Sequence, residues 1–127
     1  MSEATTRGVR VSVTSRYLPE RSDPRRAHYV HAYRVTIRNQ SDVAVTLLSR
    51  HWIITNGLGT EEHVRGAGVV GEQPRIEPGA SFQYTSGAPL DTAVGTMHGS
   101  YRMQLDNGEL FDAVVAPFTL AEPYALN

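Results

Sequence analysis

Alternation of apolar and polar residues is the feature that most limits what this chain can fold into. Val9, Val11 and Val13 are separated by polar residues. Successive side chains of a strand point to opposite faces, so this pattern indicates a half-buried β-strand. The pattern returns along most of the chain, and no stretch longer than about eight residues shows a convincing helical period. A largely helical architecture is therefore not expected.

Turn signals divide the alternating segments into about seven strands. Asn39-Gln40-Ser41-Asp42 offers Asx-type hydrogen bonding, and Asp106-Asn107-Gly108 tolerates the positive φ values of tight hairpins. Leu47 and Leu48 are adjacent, which predicts a bulge or a change of buried face. Residues 89–95 read as a connector. The predicted strands cover residues 9–14, 28–39, 43–56, 61–64, 81–85, 97–105 and 110–120.

This spacing of short strands predicts an all-β fold. The expected architecture is an immunoglobulin or fibronectin type III-like β-sandwich of about seven or more antiparallel strands. A small barrel is the competing architecture. The 127 residues fit a single domain covering residues 1–127. Residues 122–127 are expected to form a loosely held tail.

Composition restricts the classes of function. The chain has no cysteine, which removes disulfides, thiol catalysis and zinc-thiolate sites. Its formal net charge of −1 gives no reason to expect nucleic acid as a partner. No apolar run approaches the ~20 residues of a membrane helix, so no membrane insertion is expected. Because residues 1–13 lack a signal-peptide pattern, a cytoplasmic location is the default expectation.

A glycine-rich motif, Gly66-x-Gly68-x-x-Gly71, resembles a nucleotide-binding fingerprint. That fingerprint requires a strand before it and a helix after it. Residues 72–79 contain two prolines and no helical pattern, so we expect the glycines to shape a loop between strands. The alternative is an anion nest of backbone amides flanked by Arg65 and Arg75.

Histidines and acidic residues give no recognisable catalytic or metal motif. His51, His63 and His98 are scattered, and only folding could bring them together. His28 and His31 are three residues apart, a spacing that puts strand side chains on opposite faces. His98 and Ser100 would share a face but have no obvious orienting acid. We therefore predict no catalytic residues, no metal site, no cofactor and no enzymatic activity.

One predicted strand carries a set of cationic and aromatic residues. Arg50, Trp52 and Ile54 alternate along it, and Tyr84 lies on another strand. Trp52 could be a large core residue of the sandwich. It could instead be an exposed anchor for a protein partner, since Trp, Tyr and Arg dominate interface hot spots. The bulge predicted at Leu47 and Leu48 leaves both interpretations open.

An ordered series of short motifs resembles the ApaG (CorD) domain family. The motifs are NQS at 39–41, RHWII at 50–54, VRGAGVVGEQP at 64–74, PG at 78–79, FQYTSG at 82–87, PLDT at 89–92, MHGSY at 97–101 and FD at 111–112. The resemblance implies a fibronectin type III-like β-sandwich. It also implies a link to cobalt resistance and magnesium efflux. Similar domains are appended to eukaryotic F-box proteins and to a polymerase-delta-interacting protein, which implies a protein-binding module.

These observations predict a non-enzymatic interaction module. Residues 65–79 and the nearby strand ends would contact a protein partner, and a free edge strand could pair with a peptide or a second copy of the chain. The candidate binding residues are Arg50, Trp52, Arg65, Gly66, Gly68, Gly71, Arg75 and Tyr84. The alternatives are a phosphate or nucleotide binder using the 66–71 loop, and direct binding of a divalent metal.

Overall fold

The computed structural model describes residues 1–123. It contains nine β-strands and two short 3₁₀ turns, and no α-helix occurs in this part of the chain. The 3₁₀ turns are Pro19–Arg21 and Pro24–Arg26. The strands are β1 Ser2–Thr6, β2 Val9–Tyr17, β3 Tyr29–Asn39, β4 Val45–Asn56, β5 Glu61–Ala67, β6 Arg75–Ile76, β7 Ser81–Leu90, β8 Val94–Leu105 and β9 Leu110–Ala121.

Two antiparallel sheets form a β-sandwich, which confirms the predicted fold class. The first sheet has the order β1-β2-β3-β7 and the second has the order β5-β4-β8-β9, with β6 paired to β4. Apolar residues at every second position of the longer strands meet between the sheets, because the strand period of two places them on one face. The fully buried core residues include Val11, Val35, Ile37, Leu47, Met97, Tyr101, Met103 and Leu120.

Two bulges change which residues of a strand are buried. In β4 the register shifts between Leu47 and Ser49, so burial moves from Val45 and Leu47 to Trp52 and Ile54. The bulge predicted at the adjacent leucines is therefore present. A second irregularity between β8 and β9 lies at Met97 and Gly99. An extra residue on one strand bends it locally and reverses its buried face.

Several predicted boundaries are wrong. β1 was not expected, since SEATT contains no large apolar residue. β7 continues to Leu90 instead of ending at Thr85, so residues 86–90 are strand and the expected connector is only Asp91 to Ala93. β5 extends to Ala67, and β6 lies inside the segment that was expected to be loop. Pairing with neighbouring strands, which local sequence does not report, extends these elements.

The end of the chain is tied to the second sheet at Glu122. Its backbone N–H donates to the carbonyl oxygen of Ala93 at 2.9 Å. The rest of the expected loose tail, residues 124–127, lies outside the described residues. Within residues 1–123, none of the helices has the length and apolar character needed to cross a membrane.

His31 is a titratable residue in the interior of the sandwich. It is 1% exposed and packs against Tyr17, with ring centroids 5.3 Å apart. Neither ring nitrogen has a hydrogen-bond partner of normal geometry among the described residues. Burial lowers the pKa of His31 below its ordinary value of 6.5, and interactions with the backbone of Ala88 and Tyr29 offset part of this effect. The folded protein therefore holds this ring neutral.

We expect the protein to lose stability on acidification because of His31. Below about pH 6.5 the unfolded chain binds a proton at this ring that the folded chain does not, so stability falls by up to about 1.4 kcal/mol per pH unit until the lowered pKa is reached. Urea unfolding of the wild type and His31→Leu at several pH values measures the slope. The variant should show the smaller slope. Exposed His28, changed to Leu, is the control, and equal slopes for wild type and His31→Leu would contradict the account.

Candidate functional site

The two sheets are joined along one side of the sandwich and open along the other. On the joined side, the Val114 N–H donates to Thr6 Oγ1 at 3.1 Å, and Ser15 Oγ donates to the Thr119 carbonyl oxygen at 3.0 Å. On the open side, β5 and β7 are the last strands of their sheets, and neither has an outer strand partner within residues 1–123. A groove therefore opens between β5 and β7, which we call the inter-sheet groove.

The inter-sheet groove consists of two adjoining cavities of about 320 and 200 Å³. Tyr33, Arg50 and Ser86 line both cavities. One end is closed by the turn that follows β5, and the other end runs between β5 and the second half of β7. The remaining lining residues are Ala67, Val69, Val70, Gly71 and Tyr84 at the first end, and Trp52, Ile54, Glu62, Val64, Gly87, Ala88, Pro89 and Met97 at the second.

Arg50 is the charged residue at the centre of the groove. The bulge in β4 places it on the same face as Trp52, so its side chain enters the space between the sheets. Its Nη1 donates to the carbonyl oxygens of Gly68 at 2.9 Å and Ala67 at 3.1 Å. The guanidinium thus holds the end of β5 and the start of the following turn against β4.

Gly66 makes room for this arginine. It pairs with Arg50 across β4 and β5. A Cβ atom on Gly66 would lie 2.8 Å from Arg50 Cζ, closer than real Cβ contacts allow. Gly66 therefore serves the packing of the arginine over the backbone of β5. The structure thus places Gly66 within β5 instead of in the expected loop.

The other glycines of the motif build a tight hairpin, as the preference for a loop between strands predicted. The backbones of Val69 and Glu72 exchange two hydrogen bonds of 2.8 and 2.9 Å, and the Gly68 N–H donates to Leu48 O at 2.8 Å. A Cβ on Gly68 would lie 2.1 Å from the Glu72 carbonyl oxygen. The amides of Gly68, Val69 and Glu72 are therefore occupied within the protein.

The hairpin presents an apolar side chain at its tip. Val70 and Gly71 both have positive φ, 44° and 80°, as a two-residue type I′ turn requires. A β-branched residue is unusual in this region of the backbone map and indicates strain. Val70 is also 55% exposed. The turn thus holds a strained, exposed valine at the end of the inter-sheet groove.

Aromatic residues form the floor of the groove. Trp52 is 2% exposed and contacts Tyr33 edge-to-face, with ring centroids 5.4 Å apart. Of the two interpretations left open above, the structure supports the core position. Tyr84 is buried beside Tyr33, and its hydroxyl forms a hydrogen bond with that of Tyr101. Burial raises the pKa of all three tyrosines, so these hydroxyls stay protonated at neutral pH.

The two arginines expected to flank the glycine loop are not brought together. Arg65 is level with His51 and Arg75 is level with Thr46 along β4, which separates them by roughly 15 Å at the rise of a strand. Asp106 and Glu77 bind the guanidinium of Arg75. Hydrogen bonds with Asp106 and then Glu77 raise the pKa of Arg75, and the hydrogen bond from Arg75 lowers that of Asp106.

The outer face of the second sheet brings three histidines near one another. His51 on β4 lies between His63 on β5 and His98 on β8, and His51 Nε2 is 2.9 Å from His63 Nδ1. Desolvation lowers the pKa of His51, as do the nearby charges of Arg65, His63 and His98. Ser100 pairs with His51 across β4 and β8. Within residues 1–123, no group of three or more His, Asp or Glu side chains is arranged to hold a metal.

Sequence reasoning missed Tyr33, Ser86 and Val70 as groove residues. Alternation puts Tyr33 on the same strand face as Val35 and Ile37, but nothing local shows that it borders an open edge. Ser86 lies just beyond the predicted end of its strand at Thr85, and the strand continues past it to Leu90. For Val70, the available signal was its position directly before Gly71. A two-residue turn with positive φ at both positions normally takes Asn, Asp or Gly at the first of them, so a valine there is unusual.

Comparison with known proteins gives consistent similarities. The sequence profile described as the ApaG domain matches residues 19–105. Protein ApaG of Pseudomonas putida is 56% identical over 117 residues, covering 92% of this chain and 93% of that protein. Protein ApaG of Azoarcus sp. is 51% identical over 127 residues, covering 100% of both. A crystal structure described as the putative ApaA protein from Bordetella pertussis is 50% identical, with a TM-score of 0.88, covering 91% of this chain and 94% of that one.

Proposed function

This chain belongs to the ApaG domain family, and we propose that it is a non-enzymatic interaction module. The inter-sheet groove would bind an extended, acidic segment of a protein partner. The observation that carries the proposal is Arg50, a cation between two sheets that takes part in none of the ion pairs formed within residues 1–123. Arg50 is partly buried, and a cation held between two sheets without an ion-pair partner in the described part of the chain is well placed to bind an anionic group from outside.

The hydrogen bonding of Arg50 leaves room for such a group. A guanidinium has five N–H donors in a rigid fork. The two carbonyl oxygens of Ala67 and Gly68 accept only from Nη1. The remaining donors suit a carboxylate, which arginine can bind through two parallel hydrogen bonds. The buried hydroxyl groups of Tyr33 and Tyr84 stay neutral and add no charge that would repel it.

The edges of β5 and β7 supply the second part of the recognition. An extended peptide can add to a free strand edge, so that main-chain hydrogen bonds give affinity and pockets for alternate side chains give specificity. The aromatic floor would take an apolar side chain beside the carboxylate, and exposed Val70 would contact the peptide at the hairpin end. Pro89 in β7 cannot donate to an added strand, which favours β5 as the edge that is paired.

Selection from a random peptide display library tests this function. We expect enriched peptides to contain Asp or Glu next to an apolar residue. Arg50→Gln should weaken their binding about thirtyfold or more, because it removes the cation from a charge pair that the bound peptide would cover. Arg65→Gln, on the outer face of the same sheet, is the matched control and should bind as the wild type does. In an NMR titration with an enriched peptide, the largest changes in amide chemical shift should occur at Val64, Ser86 and Gly87.

Two outcomes would count against this assignment. The first is unchanged binding by a folded Arg50→Gln protein. The second is that the amide chemical-shift changes caused by the peptide occur only on the outer face of the second sheet. Arg50→Lys separates folding from recognition, because it keeps the positive charge but loses the fork. It should retain the fold and part of the affinity.

The cellular role we propose is in divalent-cation homeostasis in the cytoplasm, as the family resemblance implies. If the groove serves that role, cells carrying Arg50→Gln should be as sensitive to cobalt as cells lacking the gene. If cells carrying Arg50→Gln tolerate cobalt as well as wild-type cells do, the groove does not serve this cellular role. A second copy of the chain is the other proposed occupant of the free edge. It would show as a concentration-dependent sedimentation coefficient that Arg50→Gln leaves unchanged.

A further inference from the structure

A pair of histidines on the outer face of the second sheet lies outside the inter-sheet groove. His51 Nε2 and His63 Nδ1 are 2.9 Å apart, and the two ring centroids are 5.2 Å apart with 33° between the planes. The two residues are diagonal neighbours on β4 and β5, because His51 pairs with Arg65 and His63 pairs with Ile53. Strand pairing keeps the two side chains side by side, and in the metal-free chain the two nitrogens share a hydrogen bond whose donor depends on the tautomers.

That spacing matches the bite of two imidazoles on one metal ion. Metal–nitrogen bonds of about 2.0–2.1 Å that meet at a right angle place the two nitrogens about 2.9 Å apart. We propose that His51 and His63 form a two-histidine site for a late first-row divalent ion. Imidazole suits Zn²⁺, Ni²⁺ and Cu²⁺, and Cu²⁺ should bind most tightly of these. Water would complete the coordination of this surface site.

Glu61 supplies an independent geometric argument. Its Oε1 lies 3.5 Å from Nε2 of His63, the nitrogen that faces away from His51. When Nδ1 of His63 binds a metal, its proton resides on Nε2, where Glu61 can accept it. Ligating histidines usually make such a bond to a carboxylate, which fixes the tautomer and raises the basicity of the ligand.

Charges around the pair set the expected strength. Arg65 pairs with His51 across the strands and opposes a bound cation. Glu61 pairs with Thr55 on the same face and attracts one. Both residues are exposed, so water screens both effects. The site has two protein ligands, and the opposing charges of Arg65 and Glu61 nearly cancel. We therefore expect metal binding that can be measured but is weak enough for the ion to dissociate rapidly.

Calorimetric titration of the tag-free full chain with nickel chloride tests the site. We expect one ion per chain. His51→Gln and His63→Gln should each weaken binding about tenfold or more, and Glu61→Gln should weaken it by about tenfold because the negative charge beside His63 is lost. His28→Gln, an exposed histidine outside the pair, should leave binding unchanged. Electron paramagnetic resonance of the copper-loaded protein should show coupling to two imidazole nitrogens.

Wild-type affinity in either His51→Gln or His63→Gln would overturn the inference, and so would an equal loss in His28→Gln. The substituted side chains lie on an outer sheet face, so each variant should keep the thermal midpoint of the wild type without metal. Peptide binding to the inter-sheet groove should be the same with and without nickel. Failure of the metal site and failure of the proposed function are thereby distinguished.

Discussion

Replacement of Trp52 by alanine is expected to lower the free energy of unfolding by about 3–5 kcal/mol. The indole is 2% exposed and forms edge-to-face contacts with Tyr33, Tyr101 and Phe118, at centroid distances of 5.4, 5.8 and 6.1 Å. Truncation removes this buried apolar surface and leaves a cavity that rigid strands from both sheets cannot refill. Among the lost contacts is the one between Trp52 in β4 and Tyr33 in β3, which links the two sheets.

Equilibrium unfolding in urea, followed by circular dichroism, measures this loss. Fluorescence is unsuitable because the chain contains one tryptophan, and the variant lacks it. Leu58→Ala is the control: Leu58 is a large apolar residue that is 84% exposed, and its truncation should change stability by less than about 0.5 kcal/mol. If Trp52→Ala cost less than about 1 kcal/mol, the indole would have to lie on the surface instead of in the core.

Gly99→Ala is the second substitution with a large expected effect. Gly99 pairs with Trp52 where β8 meets β4. A Cβ atom at this position would lie 2.0 Å from the carbonyl oxygen of His51 and 3.0 Å from its carbonyl carbon. The obstructing atoms belong to the backbone of a central strand, so relief requires the two strands to separate. We expect a loss of about 3 kcal/mol or more, at the upper end of overpacking costs.

A matched glycine in another strand controls for the change in backbone entropy. A Cβ on Gly87, in β7, would have its nearest neighbour, the His31 carbonyl oxygen, at 3.6 Å, an ordinary contact. Gly87→Ala should therefore leave stability unchanged or raise it by about 0.5 kcal/mol. Thermal and urea unfolding of both variants make the comparison. A Gly99→Ala protein as stable as Gly87→Ala would show that β8 does not approach β4 this closely.

Local sequence was sufficient for most of the sheet structure. The alternation of Val9, Val11 and Val13 reports a buried face directly, because the strand period is two. The adjacent Leu47 and Leu48 revealed the bulge for the same reason. β1 was missed because its sequence, SEATT, forms a strand but lacks the alternating large apolar residues by which most of the other strands were recognised. Residues 86–90 were missed because Gly87 and Pro89 signal a turn locally, while pairing with β3 keeps them in the sheet.

The sequence by itself determined the sandwich, the family and the absence of a helix after Gly71. These depend on properties of neighbouring residues, namely period, turn chemistry and helix breakers. Only the tertiary structure decided that Arg50 enters the inter-sheet groove and that His51 meets His63. The position of Arg50 depends on the bulge in β4 and on the packing of one sheet against the other. The contact between His51 and His63 depends on the register of the β4–β5 hairpin, and a shift of one residue would turn each side chain to the opposite face. That register is set by the packing of the whole core, which no local pattern contains.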